Sequence, residues 1–385
     1  MTRKRWTLMF NSDQVGGAER SLLEQALVMG VERCEVFLPE LSARPSPLER
    51  ELRRRGFAEI HTYPYPRALY RLSRRNAASV VGLLPALVDW GQALLRLSQL
   101  LRERENFYLN GNKAAVLLLS WGLFTRPRKF VWHLRDFPPA ALMRAVAWVL
   151  RFPRVRRHWE LRFVANSHAV ARELRALVPD ARPRILYNLP GELAVRRAAP
   201  GKITRIGVAA MAGPWKGIHE VIIMSALYQR ELEDLGVEEV VIYGAEIYYT
   251  QGHGGSYLAE LHALAEKLQA RLVRFAGQRP PSEIFQEIDL LVHSSLEPEP
   301  FGRVIIEAFR AQVPVVSTGL GGSRELVGES QQRALTYLVH DYHGLFDAIR
   351  RLATDPKLVQ SLTQEAHRFA GALEAQTREE LSDLF

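Results

Sequence analysis

Glu299 and Glu307 are the residues whose types and spacing best suit chemistry, within the segment Ser294-Ser-Leu-Glu-Pro-Glu-Pro-Phe-Gly-Arg-Val-Ile-Ile-Glu-Ala308. The segment follows an apolar run read as a strand. Pro298 and Pro300 hold Glu297 and Glu299 in a loop, because proline disfavours helix in the residue before it. Val304 to Gln312 then reads as a helix, with Glu307 near its first turn. Carboxylates accept paired hydrogen bonds from vicinal hydroxyls, and the backbone N–H groups of Phe301, Gly302, Arg303 and Val304 at a helix N-terminus attract phosphate. One acid can hold a ribose, the other a hexose, and the helix end a diphosphate between them, which is the order of groups in a sugar nucleotide. A bare pair of acids is as readily a surface glutamate and a helix-start glutamate favoured by the macrodipole. The intervening Pro-Phe-Gly and the strand-loop-helix setting argue against that plainer reading.

The elements that must position these groups alternate along the chain. Strand-like runs fall at Trp6 to Phe10, Cys34 to Leu38, Ala114 to Leu119, Phe130 to His133 and Phe163 to Asn166. A second set follows at Ile206 to Ala210, Glu239 to Tyr243, Leu272 to Phe275, Leu290 to His293 and Val313 to Ser317. Helical patterns lie between them, so the expected class is α/β, with parallel sheets covered by helices on both faces. At 385 residues the chain exceeds what one core supports, and two Rossmann-like doubly wound domains are expected to face an interdomain cleft. Pro and Gly in Leu186 to Gly191, followed by Arg196 to Gly201, mark the hinge. The expected division is 1–188 for the acceptor, 189–365 for the donor, and 366–385 as a helix returning to the first domain.

Composition narrows the function classes. With 47% hydrophobic and 24% charged residues the chain is an ordinary folded protein. A single cysteine, Cys34, excludes an internal disulfide framework and a thiolate zinc site, and fits a cytoplasmic setting. The run Thr7 to Phe10 is too short for a signal peptide, and Ala77 to Leu101 is interrupted by Pro85, Asp89, Gln92 and Arg96, so it does not span a bilayer. The net charge of +9 concentrates as arginine in the first half, from Arg53 through Arg67, Arg71, Arg74 and Arg75 to Arg151, Arg154, Arg156 and Arg157. An anionic partner follows: no nucleic-acid motif is present, so a phosphate-bearing acceptor or the inner face of a membrane fits better. Residues 67–104 and 141–159, which mix Arg with Leu, Trp, Val and Phe, are the stretches expected at such a surface.

Glu299-Pro-Phe-Gly-Arg-Val-Ile-Ile-Glu307 resembles the Glu-x7-Glu signature of the family 4 retaining glycosyltransferases (glycosyl transferases group 1) with the GT-B fold. Gly16-Gly-Ala-Glu-Arg-Ser21, Val131-Trp-His-Leu-Arg-Asp136, Asn166-Ser-His168, Pro214-Trp-Lys-Gly217, Phe275-Ala-Gly277 and Gly319-Leu-Gly-Gly-Ser-Arg-Glu325 are similar to that family's other motifs. The resemblance covers about residues 6 to 352. It implies that Glu307 binds the donor ribose, that Glu299 binds hydroxyls of the transferred sugar, and that Lys216 neutralises the diphosphate leaving group. The family usually has a second cation five residues before that lysine; here the position is Met211, so that clamp is either absent or replaced by Arg303, Arg324 or Arg279. Gly16 and Gly17 would lie beside the donor phosphate or sugar, and His133 would contact the reacting sugar, with Asp136 a weaker candidate. Ser167 reads as a helix N-cap ahead of Ala169 to Leu177.

The implied reaction is retaining transfer from a UDP- or GDP-sugar to an acceptor hydroxyl of a glycan or lipid-linked glycan in cell-surface polysaccharide synthesis. No cofactor and no metal are expected, because the helix end and Lys216 supply positive charge and no Asp-x-Asp motif stands at a strand end. Rival readings are a non-catalytic protein that binds sugar nucleotides or glycans, suggested by Met211, a sugar-nucleotide epimerase, and a phosphorylase. An NAD-dependent oxidoreductase is disfavoured by the lack of Gly-x-Gly-x-x-Gly opening a helix.

Overall fold

The computed structural model describes residues 5–66, 83–123, 125, 128–153, 155, 159–191, 201–246 and 256–385, without the side chains of 83–86. Arg67, Arg71, Arg74, Arg75, Arg154, Arg156, Arg157 and Arg196 lie outside them. The chain divides into two compact units, one of residues 1–189 with 377–385 and one of residues 190–376.

Seven parallel strands form the first unit's sheet: β1 (Trp6–Met9), β2 (Cys34–Pro39), β3 (Ile60–Tyr63), β4 (Asn106–Asn110), β5 (Arg128–Leu134), β6 (Trp159–Ala165) and β7 (Arg184–Ile185). Their order is β3-β2-β1-β4-β5-β6-β7. Side chains alternate between its faces. Phe107, Leu109, Phe130 and Trp132 pack into one core with helices α3 (Leu83–Leu100), α4 (Asn112–Gly122), α5 (Ala140–Val149) and α6 (His168–Leu177). Leu8, Tyr108, Val131 and Val164 pack into the other with α1 (Gly17–Met29), α2 (Pro47–Arg54) and the C-terminal residues Leu381 and Leu384.

The second unit's sheet contains β8 (Arg205–Ala209), β9 (Glu239–Tyr243), β10 (Val273–Gly277), β11 (Leu290–His293), β12 (Val315–Ser317) and β13 (Leu335–Thr336). The order is β10-β9-β8-β11-β12-β13, again all parallel. Its helices are α7 (Ile218–Leu227), α8 (Gln229–Asp234), α9 (Tyr257–Lys267), α10 (Pro281–Glu287), α11 (Arg303–Arg310), α12 (Ser323–Val327), α13 (Tyr342–Thr354) and α14 (Pro356–Leu384). In both sheets the strand order reverses beside the first strand, between β1 and β4 and between β8 and β11. Ligands of open α/β sheets bind outside the carboxyl ends of the strands at such a reversal.

The run Ala114 to Leu119, expected as a strand, is the middle of helix α4; the strand is β4, just before it. That helix is apolar nearly all round because it is buried, so its periodicity is hidden. Among the described residues the second unit has six strands rather than five, the extra one being the two-residue β13. The chain joins the first unit at Thr377. Before that point α14 is tied to the second unit, by His367 to the Phe309 carbonyl at 3.3 Å, by Phe369 beneath Arg333 and by Glu374 paired with Arg310 at 3.4 Å.

Candidate functional site

The sequence closes β11 on His293 and turns at once into Ser294-Ser295, and the loop that follows is pinned from three directions. Ser294 donates to the Lys216 carbonyl at 2.9 Å, the Leu296 N–H to the Trp215 carbonyl at 2.8 Å, and Thr318 to the Ser295 carbonyl at 2.7 Å. Further on, the Glu299 N–H donates to Leu320 and its carbonyl accepts from Gly322, a one-residue parallel bridge to the glycine loop 319–322. A Cβ on Gly322 would lie 2.2 Å from the Pro300 carbonyl oxygen, so glycine is required for this approach. Glu299 is thereby fixed as a backbone unit before its side chain does anything.

Its carboxylate accepts from the Lys216 ammonium and from the Ser295 hydroxyl at 2.5 Å, and His293 Nε2 stands 3.7 Å from the same oxygen. His293 is oriented by a 3.0 Å hydrogen bond between its Nδ1 and Ser317. Burial pushes the Glu299 carboxyl up, but Lys216 and His293 outweigh it and hold the group well below the usual carboxylate range. Lys216 comes from the loop after β8 and Glu299 from the loop after β11, the two strands that flank the reversal.

Gly302 caps α11 at φ +94°, a conformation that favours glycine, and launches the helix beside Glu299. Glu307 is buried one turn in and accepts from Arg303 Nε at 2.6 Å. Phe301 is buried and Val304 half-buried. The structure therefore places Lys216 in contact with Glu299, and Phe301, Gly302, Arg303, Val304 and Glu307 on the loop and helix that continue from it. A carboxylate, an ammonium and a helix N-terminus at one sheet edge can bind hydroxyls and a diphosphate together.

Arg279 stands apart from this group. It follows the edge strand β10, is more than half exposed, and faces Glu283 at 3.6 Å. Arg324 is likewise exposed and pairs with Glu329 at 3.3 Å. Of the three arginines weighed as substitutes for a cation at Met211, only Arg303 is next to one of the glutamates.

In the first unit Gly16 caps α1 and Gly17 opens it. A Cβ at Gly17 would meet nothing within 4 Å, so packing within the chain does not demand glycine there. His133 is fully buried rather than facing outward; its Nδ1 hydrogen-bonds the Tyr108 hydroxyl. Burial, then the nearby Arg135 charge, holds its pKa well below the ordinary value. Asp136 is exposed. Ser167 caps α6 as expected from its type, accepting from the Val170 N–H at 3.1 Å.

Sequence reasoning missed His293 and Ser295, whose only signal is a pair of polar groups closing an apolar strand. It also missed a buried polar hub. Arg135 donates to Asn110 at 2.8 Å, Asn188 at 2.7 Å and Gln25 at 2.7 Å, all neutral acceptors. Nearby Glu19, quoted only as part of a motif, is buried and its carboxyl is pushed up to about 7 by burial, against the opposing pull of its own N–H, Arg135 and Lys113.

Residues 196–369 match the family model described as "Glycosyl transferases group 1". The chain is 27% identical over 171 residues to "Putative glycosyltransferase YtcC" of Bacillus subtilis; the match spans 43% of this chain and 40% of that protein. Among solved structures, Anabaena HepE in complex with UDP-glucose superposes with a TM-score of 0.75 at 22% identity, covering 98% of this chain and 99% of that one. S. aureus TarM in complex with UDP and α-GlcNAc-glycerol does so with a TM-score of 0.70 at 11% identity, covering 98% and 99%. At these identities the structural likeness is one of fold. The chain thus has two parallel sheets with flanking helices, matching GT-B glycosyltransferase structures in fold, and the second sheet lies within the segment 196–369 that matches the group 1 glycosyltransferase model.

Proposed function

We propose that the chain is a retaining glycosyltransferase that moves a sugar from a UDP- or GDP-sugar to an acceptor hydroxyl, on a glycan or lipid-linked glycan of cell-surface polysaccharide. The observation that carries this reading is the meeting of Lys216 and Glu299 at the strand-order reversal of the second unit, with Glu307 one helical turn beyond. Glu307 takes the ribose hydroxyls, Glu299 the hydroxyls of the sugar, and Lys216 with the N-terminus of α11 the diphosphate. As the glycosidic bond breaks, charge builds on the leaving diphosphate, and Lys216 and Arg303 stabilise it there without a metal. HepE bound to UDP-glucose and TarM bound to UDP support a uridine donor as the first to try.

The acceptor is assigned to the carboxyl edge of the first unit's sheet. His133, being buried, would act there by holding Tyr108 rather than by touching the sugar. A same-face transfer, in which the leaving phosphate assists the incoming hydroxyl, accounts for retention without a second carboxylate nucleophile.

The test is calorimetry with UDP, GDP and UDP-glucose on the wild type and Glu307→Ala. Wild-type binding to one of the three, weakened at least about tenfold by the substitution, is expected from the loss of charge-assisted hydrogen bonds. Absence of binding to any nucleotide refutes the donor assignment. Binding without transfer or hydrolysis would instead favour a non-catalytic sugar-nucleotide binder, for which Met211 speaks.

A further inference from the structure

Charge is unevenly divided along this chain. Residues 1–189 contain 32 Lys and Arg against 16 Asp and Glu, whereas residues 190–385 contain 19 against 26. With residues 377–385 counted in the first unit that unit remains basic and the second acidic, so the first unit is the one whose field attracts an anionic partner.

The same unit exposes large apolar side chains on one side of its sheet. Helices α3 and α5 both pack into the core on the face carrying Phe107 and Trp132, through Ala93 and Leu97 and through Met143 and Val146. Their outer sides are not simply solvated. On α3, Leu87 is 67% and Leu95 69% exposed, two turns apart on one stripe. At the end of α5, Trp148 is 60% and Phe152 45% exposed, packed edge to face at 4.8 Å. Arg144 and Arg151 lie about one turn before and after Trp148, both exposed, and among the described residues neither has a carboxylate within ion-pair distance.

Aromatic and aliphatic side chains standing out of a protein beside unpaired arginines match the chemistry of a bilayer interface, where rings sit at headgroup level and guanidinium groups meet lipid phosphates. No described helix is long and apolar enough to cross a membrane, so any attachment through this face is peripheral.

We propose that the outer side of α3 and the Trp148–Phe152 turn form a docking surface for an anionic bilayer. Apolar side chains supply the insertion, and Arg144 and Arg151 the preference for negative headgroups. The proposal stands independently of the donor chemistry, because none of these residues belongs to the second unit.

The experiment is flotation of the full chain with vesicles of phosphatidylcholine containing about 30 mol% phosphatidylglycerol, and with pure phosphatidylcholine, at low and high salt. Co-flotation with the anionic vesicles that weakens in salt is expected. Trp148→Ser with Phe152→Ser, and separately Leu87→Ser with Leu95→Ser, should each lower partitioning by about tenfold or more. Arg144→Gln with Arg151→Gln should weaken binding to anionic vesicles only. UDP-glucose binding, measured alongside, reports the donor reading separately and should be the same in all variants. Hydrogen exchange on the wild type gives a readout that needs no variant: vesicles should protect the amides of α3 and residues 144–152. Failure to float at low salt, equal flotation of the serine variants, or a dimer that those substitutions dissolve would each overturn the proposal.

Discussion

Lys216 donates to Glu299 across the reversal point of the second sheet, so the two charges best suited to a sugar nucleotide are held against each other by the fold. The pair is mostly buried, with side chains 20% and 12% exposed. An ion pair of this kind is more costly to break from one side than it is stabilising as a whole.

Lys216→Met should therefore destabilise the second unit by roughly 2–4 kcal/mol, by leaving Glu299 buried with only His293 and Ser295. Lys216→Arg should cost less. The sign of the pH effect follows from the depressed Glu299 pKa. Its stabilising contribution is present above the ordinary carboxylate range and lost as pH falls through the folded value, and without Lys216 that loss should begin at higher pH. Urea unfolding from pH 3 to 7 measures both.

Gly217→Ala should damage the site more than its size suggests. The residue sits at φ +62°, and a Cβ there would lie 2.1 Å from the Ser294 carbonyl oxygen. The turn carrying Lys216 would have to move. A loss of about 2 kcal/mol or more is expected, with UDP-glucose affinity falling in the fraction that still folds. Unchanged stability and affinity would show that the turn does not position Lys216.

Two buried groups of the first unit should pull its stability in opposite directions with pH. His133 has a depressed pKa, so its contribution is complete above its unfolded value of about 6.5 and declines as pH falls below it. Glu19 has a raised pKa, about 7, so its contribution is complete below about 4.5 and declines as pH rises toward 7. Between those limits the slopes oppose. Glu19→Gln should expose a loss of up to about 1.4 kcal/mol per unit on acidification below 6.5, and His133→Gln the reverse slope. Parallel profiles in all three proteins would contradict the burial of one or both groups.

If charge neutralisation rests on Lys216, Arg303 and the α11 N-terminus, transfer from UDP-glucose or its slow hydrolysis should persist in EDTA, with a rate within about twofold of the untreated protein. A loss restored by added magnesium or manganese would assign that task to a metal. Lys216→Ala should in contrast lower the rate by about a hundredfold or more.

The loop and helix that carry Glu299 and Glu307 were legible because loop-breaking prolines, a capping glycine and an apolar helix face each act locally: Pro298, Pro300, Gly302 and Ile305 report their own backbone. Strands of the second unit were legible for the same reason, as short apolar runs bounded by turns. Helix α4 was not, since a helix buried all round reads like a strand, and its first turn is capped from afar, by Asn11 accepting from the Ala114 N–H at 2.8 Å. Strand β3 was missed because Ile60-His-Thr-Tyr63 alternates too briefly, and β7 and β13 because two residues have no period. The Arg135 hub was invisible for a different reason: its three acceptors, Gln25, Asn110 and Asn188, come from three separate stretches of sequence, and nothing local distinguishes a buried arginine from a solvated one.

The core of the first unit includes residues that are synthesised after the whole second unit. Phe385 stacks edge-on against Trp6 at 4.6 Å, and Leu381 and Leu384 lie in the same core as Leu8 and Val36. During translation the N-terminal sheet must wait, with this part of its interior unfilled, while the whole second unit emerges and has time to fold. Order of synthesis and order of completion are thus reversed in this molecule, and a nascent chain stalled before Thr377 should carry a finished C-terminal sheet behind an unfinished N-terminal one.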